Sequence, residues 1–354
     1  MKKQPVKVLI WGFGAMGSGM ARLILAKKGI VVAGICDCNP DLVGKSIFDI
    51  LKLEPTQADV TIKADIADVL ASAEYDVALL ATDSYTARAY PKIKHLIEHK
   101  INVISTAEEM VFPAANEPLL TNAIDKLARK NNVTVLGAGI NPGLMMDLLV
   151  IVLTAATETI ENIKVSRINS LSPFGPTVMT EQGVGLTPEE FKKRQNEGKI
   201  AGHIGFKESV ALIAQAVGLQ IDSFQQTLEP IITAVERKSQ FAHIKPGTVA
   251  GINMKAKAYI NGKAVIEMNH PQQIEPQAAG IKTGDFIEIN GKPKINLAVV
   301  PEVDGGIGTI AVCVNMIPHV INAAPGLKTM IDMPVPRAVL GDFKTMIKEN
   351  ENDL

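Results

Sequence analysis

A glycine-rich turn near the start of the chain constrains the fold more than any other feature. The apolar run Val6–Trp11 precedes this turn, and the helical pattern Met16–Lys28 follows it. The turn has the spacing G-x-G-x-x-G, and its residues are Gly12, Phe13, Gly14, Ala15, Met16 and Gly17. Between a strand and a helix, such glycines permit a tight turn, the approach of a pyrophosphate and close helix packing. We therefore predict a dinucleotide site here; the alternative is a glycine-rich turn that binds no ligand.

An aspartate follows the next apolar run at the position that contacts the adenosine ribose in dinucleotide-binding folds. The run Ile30–Cys36 predicts a second strand, and Asp37 stands 20 residues beyond Gly17. A carboxylate there binds ribose hydroxyls and repels a 2′-phosphate, so Asp37 favours NAD over NADP. Lys45 leaves the use of NADP open. Alternatively, Asp37 only caps the turn that follows it.

The first 140 residues alternate short apolar runs with helical patterns, which is typical of a parallel α/β sheet. Further strands are predicted at Val60–Ile62, Asp76–Thr82, Ile101–Ser105 and Val133–Leu136. Helices are predicted over Ser84–Lys100 and around Asn116–Lys130. This order indicates an N-terminal Rossmann domain with a doubly wound parallel sheet.

After Gly143 the pattern changes to alternating strands, which predicts a second α+β domain with a mostly antiparallel sheet. Asn261-Gly262 and Asn290-Gly291 each lie between strand-like runs and predict two-residue hairpin turns. A long apolar helix is predicted after Asp304, and the polar tail at the C-terminus is expected to fray. We expect a discontinuous dinucleotide-binding domain of residues 1–145 plus about 304–354, and a substrate or oligomerisation domain of residues 146–303.

Composition narrows the class of ligand. The chain has 354 residues, a formal net charge of −1 and 4% aromatic residues, which argues against nucleic-acid binding and favours a small-molecule substrate. Three cysteines form an odd set, and we expect reduced thiols in a cytoplasmic protein. Ile307–Leu327 contains no formally charged residue, but its prolines, asparagines and histidine favour a buried helix over a membrane span.

Three loops at predicted strand ends are candidates for the chemistry, because open α/β sheets bind ligands at the carboxyl ends of their strands. The first contains Thr82 and Ser84, which we assign to cofactor binding. The second contains Glu108 and Glu109. The third runs from Gly137 to Gly143, and its Asn141 amide is available to the nicotinamide ribose, the carboxamide or the substrate.

The glutamate pair could act on an amine. A carboxylate beside a hydride acceptor can hold an ammonium group and remove its proton, which must happen before the carbon loses hydride. Alternatively, both glutamates only charge the first turn of a helix. In the second domain, Arg167 is suited to grip a carboxylate and His270 ends a strand, although both could be solvated surface residues. The histidines lack the spacing of metal ligands, so no metal is predicted.

Several motifs together resemble the 2,4-diaminopentanoate dehydrogenase family. They are the glycine turn, Ile104–Met110, Gly137–Gly143, Val314–Pro318, Pro325–Leu327 and Asp332–Pro336. The resemblance covers nearly the whole chain and implies a fold similar to dihydrodipicolinate reductase. The paired-histidine signature of that reductase is missing, which argues against its activity.

The resemblance implies a reaction and a set of site residues. The family oxidatively deaminates the C4 amine of 2,4-diaminopentanoate with NAD or NADP, in ornithine breakdown, and related enzymes are amine dehydrogenases. Glu108 is then the catalytic residue, and Glu109, Asn141, Arg167, His270 and Thr309 are candidates for binding the substrate. A homodimer is expected. The alternatives are a dehydrogenase of another amine or amino acid, and a non-catalytic sensor that binds dinucleotides.

Overall fold

The computed structural model describes residues 2–348. The chain divides into two compact units. Unit 1 consists of Met1–Leu144 and Gly305–Leu354, and unit 2 consists of Met145–Asp304. Apart from Lys348, the polar tail for which fraying is predicted lies outside the described residues.

Within this range the strands fall into three sheets. Their bounds are β1 Val6–Trp11, β2 Ile30–Cys36, β3 Val77–Leu80, β4 Asn102–Ser105, β5 Thr134–Gly137, β6 Thr159–Ser170, β7 Ser223–Ile232, β8 Arg237–Lys238, β9 His243–Ile244, β10 Val249–Ile260, β11 Lys263–Gln273, β12 Gly284–Lys292, β13 Ile295–Val299 and β14 Gly326–Lys328.

The α-helices are α1 Ala15–Leu25, α2 Ile47–Leu51, α3 Ile66–Leu70, α4 Thr86–Glu98, α5 Pro118–Lys130, α6 Leu148–Thr154, α7 Pro176–Glu181, α8 Pro188–Asn196, α9 Phe206–Val217 and α10 Gly305–Asn322. Short 3₁₀ helices lie at Glu108–Val111, Pro113–Ala115, Pro276–Ala279, Met330–Asp332 and Phe343–Met346.

Unit 1 is built on a six-stranded parallel sheet with the order β14-β5-β4-β3-β1-β2. All residues of β3 and β5 are buried, as expected for strands that are covered on both faces. From β1 the sheet extends to β2 on one side and to β3, β4 and β5 on the other. Because the strands are parallel, the carboxyl ends of β1, β3, β4 and β5 lie side by side. This edge carries all three loops that the sequence indicates.

Unit 2 is built on a six-stranded mixed sheet with the order β13-β12-β6-β11-β10-β7. The β6–β11 pair is parallel, and the other four pairs are antiparallel. The inner face carries buried residues such as Val165, Met268 and Ile287, which join the hydrophobic core with side chains of α8 and α9. Helix α8 begins after Thr187, whose hydroxyl forms a capping box with the Glu190 carboxylate.

The predicted α/β fold class, with a parallel sheet followed by a mostly antiparallel one, is confirmed. Strands β1 and β2 have their predicted bounds. The hairpin at Asn261-Gly262 is also confirmed: both residues have positive φ, as a type I′ turn requires.

Two local predictions are wrong. Val60–Ile62 is not a strand, because Thr61 forms only an isolated bridge with Ser46. Asn290 and Gly291 do not form a two-residue turn either. They continue β12 in pairing with β6, and the chain turns afterwards, before β13 begins. A side chain at position 291 would meet the Thr159 carbonyl oxygen at 1.9 Å, so glycine serves close strand approach there.

Helix α10 is the apolar helix that the sequence predicts after Asp304. By length and composition it could cross a membrane, and it is the one such helix in the part of the chain described. However, half of its 18 residues are buried inside the protein. It packs against α1 and the sheet of unit 1. Asn315 and Asn322 on this helix hydrogen-bond to the backbone of the C-terminal segment at Val339, Met346 and Lys348. These contacts describe a core helix.

Candidate active site

The glycine turn has the geometry that a bound pyrophosphate requires. Gly12 has φ +95°, and a Cβ there would meet the Ala81 carbonyl oxygen at 2.5 Å. A Cβ on Gly17 would meet the Gly12 carbonyl oxygen at 1.9 Å, whereas a Cβ on Gly14 would face open space. Helix α1 begins after Gly14 without a side-chain cap and without an acidic residue in its first turn. The positive end of this helix is therefore suited to an anion.

Asp37 lies directly after β2 and is tied to the glycine turn. One carboxylate oxygen accepts a hydrogen bond from the Phe13 backbone N–H, and the other accepts one from the Asn39 N–H at 2.8 Å. These bonds fix the carboxylate beside the first glycines. Asp37 thus organises its own turn at the end of β2, and its contact with a ribose stays a prediction.

The loop after β3 contains an ion pair that the sequence did not indicate. Lys92 on α4 donates hydrogen bonds to the Thr82 hydroxyl at 2.9 Å and to the Asp83 carboxylate at 2.5 Å. Thr82 also donates to Asp83. Thr82 is therefore fixed within this cluster, while Ser84, two residues further on, faces the glutamate pair.

Glu108 opens the 3₁₀ helix that follows β4, and its side chain is largely buried. The pKa of its carboxyl is raised from 4.5 to about 6, mainly by burial and to a smaller extent by the nearby charge of Glu109. Hydrogen bonds from the Ser84 side chain and from its own backbone act in the opposite direction. A carboxyl that changes its charge near pH 6 is suited to accept and release a proton at physiological pH.

Glu109 has different surroundings from those of its neighbour. Its carboxylate accepts a hydrogen bond from the Thr86 N–H at 2.8 Å, in the first turn of α4. Its backbone N–H donates to the Ser84 carbonyl oxygen at 3.2 Å. The structure therefore gives the two residues different surroundings: the Glu109 carboxylate is bonded to the start of α4, and the Glu108 carboxyl has a raised pKa.

The loop after β5 is shaped by close backbone contacts. A Cβ on Gly137 would meet the Met110 carbonyl oxygen at 2.1 Å, so this glycine lets the glutamate-bearing turn pack directly on β5. Asn141 precedes a cis proline, Pro142. The Thr309 hydroxyl on α10 accepts a hydrogen bond from the Ile140 N–H at 3.2 Å. Thr309 thus holds the loop that carries Asn141.

In unit 2, Arg167 is part of a buried ion pair. Arg167 on β6 and Asp285 on β12 are 2% and 3% exposed, and the guanidinium donates to the carboxylate. Arg167 also donates to the Val303 carbonyl oxygen, while Asp285 accepts from the Val303 N–H at 2.9 Å. Both side chains therefore hold the backbone of the segment that leads into α10. A solvated position for Arg167 is excluded.

His270 lies beside Arg167 on the same inner face of the sheet, and it is also buried. Its Nδ1 lies 2.7 Å from the Arg167 carbonyl oxygen, and its ring packs edge-on against His203 at 4.8 Å. The pKa of His203 is lowered to about 4, mainly by burial and also by the charge of Arg167. The pKa of His270 is lowered well below 6.5, mainly because the ring is buried and also because His203 lies beside it. Both imidazoles are therefore neutral at pH 7.

Sequence reasoning missed four polar residues in this part of unit 2: Asp285, His203, Asn169 and Gln182. Asn169 and Gln182 are each at least nine-tenths buried, and their side-chain carbonyl oxygens accept no hydrogen bond from the described residues. Alternation along β6 could have indicated Asn169, which shares a face with Arg167. Across residues 2–348, no group of three or more His, Cys, Asp or Glu side chains could hold a metal ion.

Comparison with known proteins identifies the family. Residues 144–349 match the model of the 2,4-diaminopentanoate dehydrogenase C-terminal domain. The chain is 52% identical over 347 residues to the 2,4-diaminopentanoate dehydrogenase of Acetoanaerobium sticklandii, with 98% of each chain covered. The chain belongs to the 2,4-diaminopentanoate dehydrogenase family. The resemblance indicated by the sequence motifs is confirmed.

Solved structures agree with this assignment. The amine dehydrogenase from Mycobacterium smegmatis has a TM-score of 0.85 and 25% identity, with 96% of this chain and 99% of that chain covered. An oxidoreductase from Agrobacterium radiobacter, solved with NAD⁺, L-tartaric acid and magnesium, has a TM-score of 0.54 at 11% identity, covering 97% and 94%. The second likeness shows the fold alone.

Proposed function

We propose that this protein oxidatively deaminates the C4 amine of 2,4-diaminopentanoate to 2-amino-4-oxopentanoate and ammonia, as a step of ornithine breakdown, with NAD or NADP as oxidant. The observation that carries the proposal is Glu108, a largely buried carboxyl with a pKa of about 6 at the carboxyl end of β4. The membership of the protein in the 2,4-diaminopentanoate dehydrogenase family supports the choice of substrate.

Glu108 begins the reaction by removing a proton from the C4 ammonium group. Only the neutral amine has the lone pair that stabilises the carbon as hydride leaves it. A nicotinamide cofactor, when bound, supplies the hydride acceptor. Because burial raises the pKa of Glu108 towards neutrality, the carboxylate is a stronger base than an exposed glutamate and remains ionised at pH 7.

Glu108 also serves the hydrolytic half of the reaction. Water adds to the substrate iminium carbon while Glu108 takes a proton from the water and passes the earlier one to nitrogen. Glu108 then releases the water proton to solvent, and its carboxylate accepts the hydroxyl proton as the carbon–nitrogen bond breaks, so ammonia leaves and the ketone forms. The ammonia takes this last proton, which returns Glu108 to its ionised form. One carboxyl therefore moves every proton, which suits a group that titrates close to the working pH.

The glycine turn and Asp37 support NAD as the preferred dinucleotide. The first turn of α1 would hold the pyrophosphate, and Asp37 would accept hydrogen bonds from the ribose hydroxyls. A 2′-phosphate would meet the fixed Asp37 carboxylate as a like charge. We also assign Thr82, Ser84 and Asn141 to the cofactor, so unit 1 would be the dinucleotide-binding domain and unit 2 the substrate domain.

The buried polar groups of unit 2 suit the amino acid end of the substrate. Arg167 uses two of its five N–H donors on Asp285 and Val303, which leaves donors for a carboxylate. His270 is neutral, and Asn169 offers a buried carbonyl oxygen that could accept from an α-ammonium group. In unit 1, Asn141 and Thr309 complete the proposed substrate-binding residues.

An assay of product formation tests this proposal. Purified protein is mixed with NAD or NADP and with 2,4-diaminopentanoate, other diamino acids or simple amines, while absorbance reports reduced cofactor and a second assay reports ammonia. We expect both products, in equal amounts, with the 2,4-diamino acid as the best substrate. Turnover of another amine alone would indicate a different dehydrogenase. Tight NAD binding without any reduction would support a sensor and refute the proposal.

We further propose a cytoplasmic homodimer that binds neither nucleic acid nor membranes. All three cysteines are free thiols, in keeping with a reducing compartment. The outer face of the unit 2 sheet carries a groove lined by Phe286 and Leu297 between charged residues such as Lys164 and Glu267. This groove lies on the opposite face of the sheet from Arg167. Light scattering should give twice the monomer mass, and a monomer would refute this part.

A further inference from the structure

Glu109 connects two loops that follow neighbouring strands. Its backbone N–H donates to the Ser84 carbonyl oxygen, and its carboxylate accepts from the Thr86 N–H at 2.8 Å. Ser84 lies in the segment between β3 and α4, and Thr86 is the first residue of α4. Glu109 itself belongs to the 3₁₀ helix after β4. Glu109 therefore makes two hydrogen bonds to this neighbouring part of the chain, one at Ser84 and one at Thr86.

The carboxylate of Glu109 takes the place of a helix cap. Helix α4 has 13 residues, and its N-cap residue, Tyr85, makes no side-chain hydrogen bond to the helix. The first turn of a helix leaves backbone N–H groups without internal partners and carries a partial positive charge. The Glu109 carboxylate accepts from one of these N–H groups, that of Thr86, and lies at the positive end of the helix. The role of Glu109 at this end is thus explained without any ligand.

The turn held in this way carries Glu108. The Ser84 side chain hydrogen-bonds to the Glu108 carboxyl, so the loop gripped by Glu109 also orients its neighbour. On the other side, the absence of a side chain at Gly137 lets Met110 of the same turn pack on β5. Glu108 is therefore set between β5 and the loop after β3.

We propose that Glu109 is a positioning residue, which fixes the turn bearing Glu108 by capping α4, and that it does not bind substrate. The proposal rests on the proposed function in one respect, namely that Glu108 is the proton acceptor. It changes the sequence-based assignment of Glu109 as a substrate ligand. The two adjacent carboxyls then have separate tasks: Glu109 is bonded to the start of α4, and Glu108 exchanges protons.

This division has an electrostatic consequence. Glu109 is the charged side chain that acts on the Glu108 carboxyl among the described residues, and its charge raises the pKa of Glu108 in addition to the larger effect of burial. Glu109 thus contributes a tether and a charge, and the two contributions can be removed separately.

Two variants separate them. Glu109→Gln keeps an oxygen that can accept from the Thr86 N–H but removes the charge. Thr86→Pro removes the N–H but keeps the charge. Thr86 is the first residue of α4, where proline is well tolerated, and Tyr85 before it is already extended, as a residue preceding proline must be. Glu98→Gln, at the exposed far end of α4, is the matched control for loss of one carboxylate.

For Glu109→Gln we expect the pKa of Glu108 to fall by roughly half a unit, because a like charge has been removed. The acidic limb of the kcat/KM profile should move with it, while the plateau kcat stays within about threefold. For Thr86→Pro we expect the limb to stay and kcat to fall roughly tenfold or more, because Glu108 loses its fixed position. KM should change little in both variants, and Glu98→Gln should match the wild type.

A carboxyl ¹³C NMR titration of Glu108 in the protein without substrate, assigned through Glu108→Gln, gives a readout independent of turnover. If the wild type turns over no diamino acid, the proposed function fails, and this titration still decides the role of Glu109. An unchanged Glu108 titration in Glu109→Gln would overturn the proposal. So would full activity of Thr86→Pro, or a large rise in KM with unchanged kcat in Glu109→Gln.

Discussion

Replacing Glu108 by glutamine should lower the rate of catalysis and stabilise the fold. Both effects follow from the loss of an ionisable carboxyl group. Glutamine keeps the shape of the side chain and an oxygen that can bond to Ser84, but it cannot accept a proton. Loss of a general base costs about 10²–10⁴ in rate. That range corresponds to about 3–5 kcal/mol of transition-state stabilisation.

The stability effect follows from the raised pKa. Glu108 shifts from 4.5 to about 6 on folding, so the folded protein holds this proton more tightly than the unfolded chain does. Wild-type stability from this group is therefore complete below pH 4.5 and is lost as the pH rises through 6. At 1.36 kcal/mol per unit, the loss is about 2 kcal/mol before allowance for partial exposure, and about 1–2 kcal/mol after it. Glu108→Gln does not have this dependence.

Urea unfolding of both proteins at pH 4.5 and pH 8 measures this directly. The difference in unfolding free energy, variant minus wild type, should increase by about 1–2 kcal/mol between the two pH values. Contributions from groups that do not interact with Glu108 cancel in this difference. Wild-type kcat/KM should also rise with pH around 6. A pH-independent difference, or turnover of Glu108→Gln within tenfold of wild type, would refute the reasoning.

Three further substitutions test other parts of the site. Asp37→Ala should shift the ratio of kcat/KM values towards NADP by roughly tenfold, because a fixed like charge is removed; an unchanged ratio would contradict the assignment. Gly137→Ala should cost about 1–3 kcal/mol in urea unfolding and lower kcat, because its Cβ would overlap the Met110 backbone. Asp285→Asn should destabilise the protein by about 3 kcal/mol or more, because Arg167 would keep a buried charge without a counter-ion; wild-type stability would exclude this.

Local patterns in the sequence were sufficient for the parts of the fold that local physics determines. The apolar runs of β1 and β2, the glycine turn between them and the Asn261-Gly262 hairpin each depend on neighbouring residues. Asn290-Gly291 has the same letters as the successful hairpin, yet it continues a strand. There, pairing with β6, which is distant in sequence, is more favourable than a turn at these two residues.

The sequence could not separate groups whose roles depend on distant partners. Glu108 and Glu109 differ through Ser84 and Thr86, which are more than 20 positions away in the chain. The partner of Arg167 is Asp285, 118 positions away. Spacing identified the reactive loops because strand ends carry them, but only the fold shows which side chain is already bonded. The assignments of individual site residues remain predictions.

One strand pair in the sheet of unit 1 joins segments that are far apart in the chain. Its strand β5 is fully buried and stays an open edge until β14 arrives, and Thr134 bonds to Ala324 across 190 positions. At about 5–20 residues per second, a ribosome needs roughly 10–40 s for that stretch. All of unit 2 emerges in this interval. During synthesis the nascent protein therefore exposes an apolar strand edge, and this is the period in which a chaperone would protect it from aggregation.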